Sequence, residues 1–249
     1  MVIFSRLGEY EACGMFTIGH LILLSLTIIG IIIALHFTKN KTYEEITKII
    51  RKTTIFLWIL EIIKIVFNLV TGNRNNPNTY IPLYFCSLIL YAGIFSGFGK
   101  GVIKRIGDIF LATGGIVAGI SFILVPLTSL SNYPIFHYIS IQSFILHGIM
   151  IYIGILVNIT GYVKYDIKDE KYYFGLIVAL GIIAYFVNIK LGSNLMFVSN
   201  NFPNTPVEII YNASGKLFPV VMILGQAILP FYVIILLKNI ILKINKRVT

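Results

Sequence analysis

The sequence predicts an all-α fold, a single polytopic bundle of seven transmembrane helices that occupies residues 1–249. Two observations lead to this class. Of the residues, 57% are hydrophobic and only 12% are charged, whereas a soluble domain carries about 25% charged residues. Apolar runs of about 18 residues or more recur along the chain, and each is long enough to cross a bilayer as a helix.

Seven apolar segments alternate with polar connections along the chain. We predict spans at residues 15–38, 53–72, 81–99, 107–127, 138–162, 172–191 and 208–238. Asn, Pro and Ser are frequent in the connections 73–80, 128–137 and 192–207. The last connection has 16 residues, more than a simple turn needs, so we expect it to fold back over a site.

The distribution of positive charge predicts the orientation of the spans. Fifteen of the 20 Lys and Arg residues lie in connections 39–52, 100–106 and 163–171 and in the tail from residue 238. Only Arg6 and Arg74 lie on the other side. Because cytoplasmic connections carry the excess of Lys and Arg, we expect the N-terminus outside and the C-terminus in the cytoplasm.

The net charge of +10 has the same origin. In a soluble protein it would indicate nucleic acid as a partner. Here we expect membrane lipids with anionic headgroups instead, and no nucleic acid. The expected location is a bacterial cytoplasmic membrane.

Ionisable side chains in the first two spans are candidates for function, because such groups are costly in a membrane unless they are paired. His20 lies about one turn inside the first span. In the second span, Thr54, Glu61, Lys64 and Asn68 share one helix face, within about 80° of each other. Glu61 and Lys64 are close enough to pair, either as a structural ion pair or as polar groups of a site.

Cys86 in the third span and His147 in the fifth are predicted at similar depths toward the outer face. His147 lies roughly 13 Å below the outer end and shares a polar stripe with Ser140, Ser143 and Asn158. Taken alone, each has an ordinary interpretation, as a small apolar thiol and as a packing histidine. Together they are the minimal pair for acyl transfer, because imidazole accepts the thiol proton while the sulfur attacks a carbonyl.

Two other roles for these residues compete with catalysis. A bridge between Cys13 and Cys86, both expected outside, would prevent Cys86 from acting as a resting nucleophile. His20, Cys86 and His147 are zinc-ligand types, but no paired ligand spacing supports a metal site. We therefore expect no metal and no organic cofactor.

The remaining spans carry packing signals. Small residues four apart, at Gly93 and Gly97 and at Gly115 and Gly119, predict close helix contacts. Pro219 and Pro230 predict bends in the last span. No repeat relates the two halves and we expect no broken helices, which disfavours a transporter built from inverted repeats.

Several motifs resemble those of a known family of membrane proteins. The segment Pro82–Ser87 resembles the LPLHLCS motif of YwaF-type integral membrane proteins of bacteria, with Tyr84 where the family commonly has His. The vertebrate relative of these proteins is a transmembrane acyltransferase that acts on ether phospholipids. Further matches follow in chain order: Phe16–His20, Glu61, His147-Gly148, and Asn194–Phe197 followed by Pro203 and Pro206.

The resemblance implies a membrane-embedded acyltransferase or lipid hydrolase that acts on phospholipid and lysophospholipid. Cys86 would carry the acyl group and His147 would act as the base. Asn194 or the connection 192–207 would donate hydrogen bonds to the oxyanion. The polar support or headgroup contacts would come from His20, Glu61, Glu208 and Tyr84. The alternative is a non-enzymatic small transporter or lipid-binding membrane protein.

The predicted orientation is tested with reporters inserted in the connections. Fusions at residues 75, 132 and 200 should report the outer side, and a fusion at the C-terminus should report the cytoplasm, because of the charge asymmetry. A cytoplasmic signal from position 132 would contradict the orientation and the outward placement of Cys86 and His147.

Overall fold

A computed structural model of the chain describes residues 2–203 and 205–248, without the side chains of Leu242 and residues 245–248. Asn204, in the predicted connection 192–207, lies outside the described residues, as do the side chains of the predicted cytoplasmic residues Lys246 and Arg247.

The regular secondary structure of the described residues is entirely helical, as predicted. Six helical segments are long and apolar enough to cross a membrane, when helices that follow one another directly along the chain are counted as one segment. The α-helices are α1 (Ile18–Thr38), α2 (Tyr43–Val70), α3 (Leu88–Phe98), α4 (Gly101–Ala112), α5 (Gly114–Leu124), α6 (Tyr138–Ile159), α7 (Glu170–Leu191), α8 (Pro206–Ser214) and α9 (Phe218–Val248).

Helix α2 begins ten residues before the predicted span, so most of connection 39–52 is helical. A capping box sets this start. The Thr42 hydroxyl accepts a hydrogen bond from the amide of Glu45, and the Glu45 carboxylate accepts one from the amide of Thr42 at 2.8 Å. Both bonds satisfy amides that the first turn of the helix leaves free.

The third predicted span differs most from expectation. Residues 81–87 are not helical, and α3 has only 11 residues. Such a helix is about 16 Å long, roughly half the hydrocarbon thickness. Pro82 has no amide hydrogen to donate, which favours a non-helical start. The segment is partly buried against the core of the protein, where irregular backbone is tolerated at membrane depth.

Close packing of α3 on α2 follows from the small residues predicted to allow it. A Cβ atom on Gly93 would overlap the Thr54 hydroxyl, and one on Gly97 would lie 3.1 Å from Cγ of Arg51. Farther along, Nε1 of Trp58 donates to the carbonyl of Leu90 at 3.1 Å. The third segment therefore runs antiparallel to α2.

The fourth predicted span is broken between α4 and α5. Thr113 leaves the helical conformation, with φ −128° and ψ −86°. Nδ2 of Asn158 on α6 donates at 2.8 Å to the carbonyl of Ala112, which the break would otherwise leave exposed. The expectation of unbroken helices is therefore wrong for this span as well as for the third.

Helix α6 forms the centre of the bundle. Of its most apolar stretch, 72% is buried inside the protein, against 11% for α1. Helix α6 packs on α1, α5, α4 and α2, while α7 packs mainly on α9. The outward faces of α1, α7 and α9 carry exposed apolar side chains, as expected of helices that contact lipid.

The last predicted span is also interrupted, between α8 and α9. The chain turns at Gly215, where φ is +53°, a backbone region that glycine tolerates best. Pro219 lies in the first turn of α9, where its missing amide hydrogen costs no helical hydrogen bond. The interruption at Gly215 therefore falls four residues before Pro219, the first of the two predicted proline bends.

Replacing Gly107 with Ala should destabilise the bundle. The added methyl group would lie 2.5 Å from the Ala92 carbonyl oxygen and 2.8 Å from Cβ of Phe95, both in α3, which cannot move away cheaply. Overpacking of this kind costs about 1–3 kcal/mol. Gly225→Ala is the control, since that helical position has no atom within 4 Å of an added Cβ. Thermal unfolding in detergent should show a lower Tm for Gly107→Ala alone, and equal Tm values would contradict the tight crossing.

Candidate functional site

A buried ion pair lies at the centre of the candidate site. The Glu61 side chain is fully buried, and its Oε1 lies 2.6 Å from Nζ of Lys64. Its Oε2 accepts a hydrogen bond of 3.2 Å from Nε2 of Gln142 on α6. The pairing predicted from the sequence spacing is therefore present, and the carboxylate also joins α2 to α6.

The thiol of Cys86 lies within electrostatic range of this ion pair. The positive charge of Lys64 favours negative charge on the sulfur, and the negative charge of Glu61 opposes it. The position follows from the antiparallel register, because Cys86 precedes Leu90 by about one turn and Glu61 follows Trp58 by about one turn.

The imidazole of His147 is held in one orientation. Its ring stacks on Phe122, with centroids 3.6 Å apart and planes 8° from parallel. Nδ1 lies 2.6 Å from the carbonyl oxygen of Ser143, so Nδ1 carries the proton and Nε2 presents a lone pair. Nε2 is buried and has no hydrogen-bond partner among the described residues. Lys64 lies within electrostatic range of this ring too.

Cys86 and His147 each lie within electrostatic range of Lys64, but no direct bond joins the two side chains. Since Nε2 of His147 has no partner among the described residues, no hydrogen bond joins it to the Cys86 thiol. Both cysteines are free, and Sγ of Cys13 lies 3.3 Å from Oγ1 of Thr17. The bridge to Cys13, left open by the sequence, is not formed in this structure.

The connection after α7 covers the segment that carries Cys86. Leu195, Met196 and Val198 are fully buried, and the ring of Phe197 lies 5.3 Å from that of Tyr84. Met196 and Phe197 have backbone φ values of +55° and +54°, which residues other than glycine rarely adopt. The predicted fold-back of this connection is therefore present, and it stores backbone strain beside the candidate site.

Asn194 stabilises this connection from within. Its Oδ1 accepts from the amides of Ser199 and Asn200 at 3.1 and 3.0 Å, and its Nδ2 donates to the Asn200 carbonyl. Its own amide donates at 2.8 Å to Oδ1 of Asn78, which ties the connection to residues 73–80. The Asn194 side chain is therefore engaged inside the connection, and its predicted role as an oxyanion donor stays a prediction.

His20 and Glu208 lie apart from the group formed by Glu61, Lys64, Cys86 and His147, which is called the Lys64 cluster below. Nε2 of His20 bonds the Ile123 carbonyl at 2.8 Å, and Nδ1 accepts from the amide of Phe16. The rings of Phe122 and Phe144 lie between His20 and His147. Glu208, in the first turn of α8, accepts a hydrogen bond from Asn201.

Of the residues singled out from the sequence, Glu61 and Lys64 pair directly, and Cys86 and His147 each lie within electrostatic range of Lys64. Gln142 belongs to the same cluster and was not predicted. Its signal in the sequence was an amide side chain in an apolar span, close to the polar stripe of His147. Among the described residues, no three His, Cys, Asp or Glu side chains are grouped as metal ligands.

Replacing Glu61 with Gln should lower the Tm of the protein in detergent. Lys64, whose side chain is only 19% exposed, would lose its partner, and breaking a buried pair costs about 3–5 kcal/mol. The matched control is Glu45→Gln, which removes the exposed pair with Lys41. Such pairs contribute about 0–1 kcal/mol. If both variants melt like the wild type, Glu61 is incidental to stability.

Comparison with known proteins identifies a family over nearly the whole chain. The sequence profile of the TMEM164 family matches residues 15–243, which include every residue of the Lys64 cluster. No curated protein and no solved structure matches the chain. With its six apolar helices, the chain is a transmembrane protein that belongs to the TMEM164 family.

Proposed function

We propose that this protein transfers or hydrolyses the acyl chains of phospholipids, with Cys86 as nucleophile and His147 as general base. The observation that carries the proposal is the buried Nε2 of His147, which presents a lone pair and has no hydrogen-bond partner among the described residues. Lys64 lies within electrostatic range of both this ring and the Cys86 thiol. The resemblance of Pro82–Ser87 to the motif of YwaF-type proteins supports the same chemistry.

The first half-reaction forms a thioester. His147 Nε2 accepts the thiol proton as the Cys86 sulfur attacks the ester carbonyl of a donor phospholipid. The carbon–oxygen bond then breaks, and the imidazolium gives the proton to the departing oxygen, which becomes the hydroxyl of the lysophospholipid. The thiol and imidazole must approach within hydrogen-bonding distance for this step, and such contacts are often longer in substrate-free sites.

The second half-reaction releases the acyl chain. His147 accepts a proton from the hydroxyl of a second lysophospholipid, whose oxygen attacks the thioester. The carbon–sulfur bond breaks, and the proton passes to the Cys86 sulfur. If water takes the place of the lysophospholipid, the product is a free fatty acid, so the same residues support transfer and hydrolysis.

The ion pair has a defined part in this mechanism. The ammonium of Lys64 favours negative charge on the sulfur, and Glu61 holds that ammonium in place. The connection that carries Phe197 covers Tyr84 and limits the access of water to the thioester. Exclusion of water favours transfer over hydrolysis.

A transporter remains the second candidate because of the broken helices. The short α3 and the interruption between α4 and α5 are discontinuous segments of the kind that bind substrates in transporters. Such a protein would bind lipid without changing it, and it would not depend on the thiol of Cys86.

We also propose that the chain crosses a bacterial cytoplasmic membrane seven times, with its N-terminus outside. Residues 81–98 would cross as a non-helical entry followed by α3, alongside α2. The positive charge on the predicted cytoplasmic connections supports this orientation. The Lys64 cluster would then lie in the outer half of the membrane.

Cys86→Ala and His147→Ala should each reduce acyl transfer by about 10²-fold or more, because nucleophile and base act as one unit. The double variant should lose little more than either single variant. The assay is lipid mass spectrometry of vesicles that contain the purified protein, donor phospholipid and labelled lysophospholipid.

Two controls test whether any loss is specific to this site. Cys13→Ala removes the other free thiol, and His36→Ala removes an exposed imidazole at the far end of α1. Both should keep full activity. Undiminished transfer by Cys86→Ala would exclude the mechanism, and an inactive wild type that still binds lipid would favour the transporter.

A further inference from the structure

A second polar feature lies on the other side of the connection that covers Tyr84. An open cleft of about 380 Å³ is formed by the end of α7, the connection after it and the junction of α8 with α9. A volume of this size holds a small-molecule group. The cleft is at the same end of the bundle as residues 73–80, because Asn194 in the connection bonds Asn78.

The cleft presents one cation and several hydroxyl groups. Lys216 is its only charged lining residue, and no described acidic side chain forms an ion pair with it. The phenols of Tyr185 and Tyr211 form no hydrogen bond with any described residue. Ser199 accepts a bond from Asn188, so its own hydrogen stays available to donate. These groups are donors that suit an anion with several acceptor oxygens.

The walls next to the cleft are apolar and face outward. Ile189 on α7 lines the cleft and is 63% exposed, and Val220 near the start of α9 is 53% exposed. Phe186 and Leu224 continue these exposed faces along the two helices. The cleft thus opens directly onto helix faces that carry exposed apolar side chains.

We infer that this cleft binds the phosphate of a phospholipid headgroup. Lys216 pairs with the phosphate, Tyr185, Ser199 and Tyr211 donate hydrogen bonds to its oxygens, and the acyl chains lie along α7 and α9. The combination of donors above and apolar helix faces below fits a phospholipid better than a soluble phosphate. Tyrosine is frequent at the boundary between the bilayer and water, because its ring is apolar and its hydroxyl is polar.

This binding site does not require the chemistry proposed for Cys86. The lining residues of the cleft include none of Glu61, Lys64, Cys86 and His147. Lys216→Gln should therefore weaken binding at the cleft while it leaves the thiol of Cys86 and the imidazole of His147 in place. Failure of acyl transfer and failure of headgroup binding are thus separate results.

The test is native mass spectrometry of delipidated protein titrated with dioleoyl phosphatidylglycerol in neutral detergent. Lys216→Gln should bind about fivefold more weakly, the effect of one cation near a lipid phosphate. Lys190→Gln is the matched control, because Lys190 is exposed in the last turn of α7, whose end forms one side of the cleft, but does not line the cleft. Tyr211→Phe should weaken binding by a smaller factor, since it removes a single donor.

Two further ligands identify which part of the lipid is recognised. Dioleoylglycerol has the same chains without phosphate, and glycerol 3-phosphate has the phosphate without chains. Both should bind at least fivefold more weakly than phosphatidylglycerol. Equal binding of dioleoylglycerol, equal binding of glycerol 3-phosphate, or equal effects of Lys216→Gln and Lys190→Gln would each overturn the proposal.

Discussion

The satisfaction of backbone hydrogen bonds away from water is the constraint on which this structure depends. Three of the predicted spans are interrupted, and each interruption frees amides or carbonyls that lipid cannot bind. Polar side chains supply the missing partners. Asn158 bonds the carbonyl that ends α4. Asn188 on α7 bonds both the amide and the carbonyl of Leu195.

These bonds distinguish the polar side chains that bind backbone groups from the polar side chains that do not. Asn158, Asn188 and Trp58 are used by the backbone, and His20 has both ring nitrogens occupied. At the candidate site, Glu61 pairs with Lys64 on α2 and bonds Gln142 on α6, and His147 keeps a buried nitrogen unpaired among the described residues. A buried basic nitrogen without a partner costs stability, and such costs are typical of functional sites.

The connection after α7 joins the two proposed sites. One of its sides packs on Tyr84 near the Lys64 cluster, and the other lines the cleft that contains Lys216. Its strained residues Met196 and Phe197 are held by burial and by Gln226, which donates to the Met196 carbonyl. A phospholipid held by its phosphate in the cleft would therefore contact the same connection that covers the candidate nucleophile. In these proposals, headgroup binding and access to Cys86 would involve opposite faces of one segment.

The sequence by itself determined the class of the protein, because apolar runs and charge asymmetry are local properties that the bilayer reads directly. It also determined the Glu61–Lys64 pair, since three residues along a helix bring side chains together in any context. Only the tertiary structure decided that the third span is half helical and that Lys216 lines a cleft. Those outcomes depend on contacts between segments far apart in the chain, which cover irregular backbone and close a cavity in ways that no local pattern records.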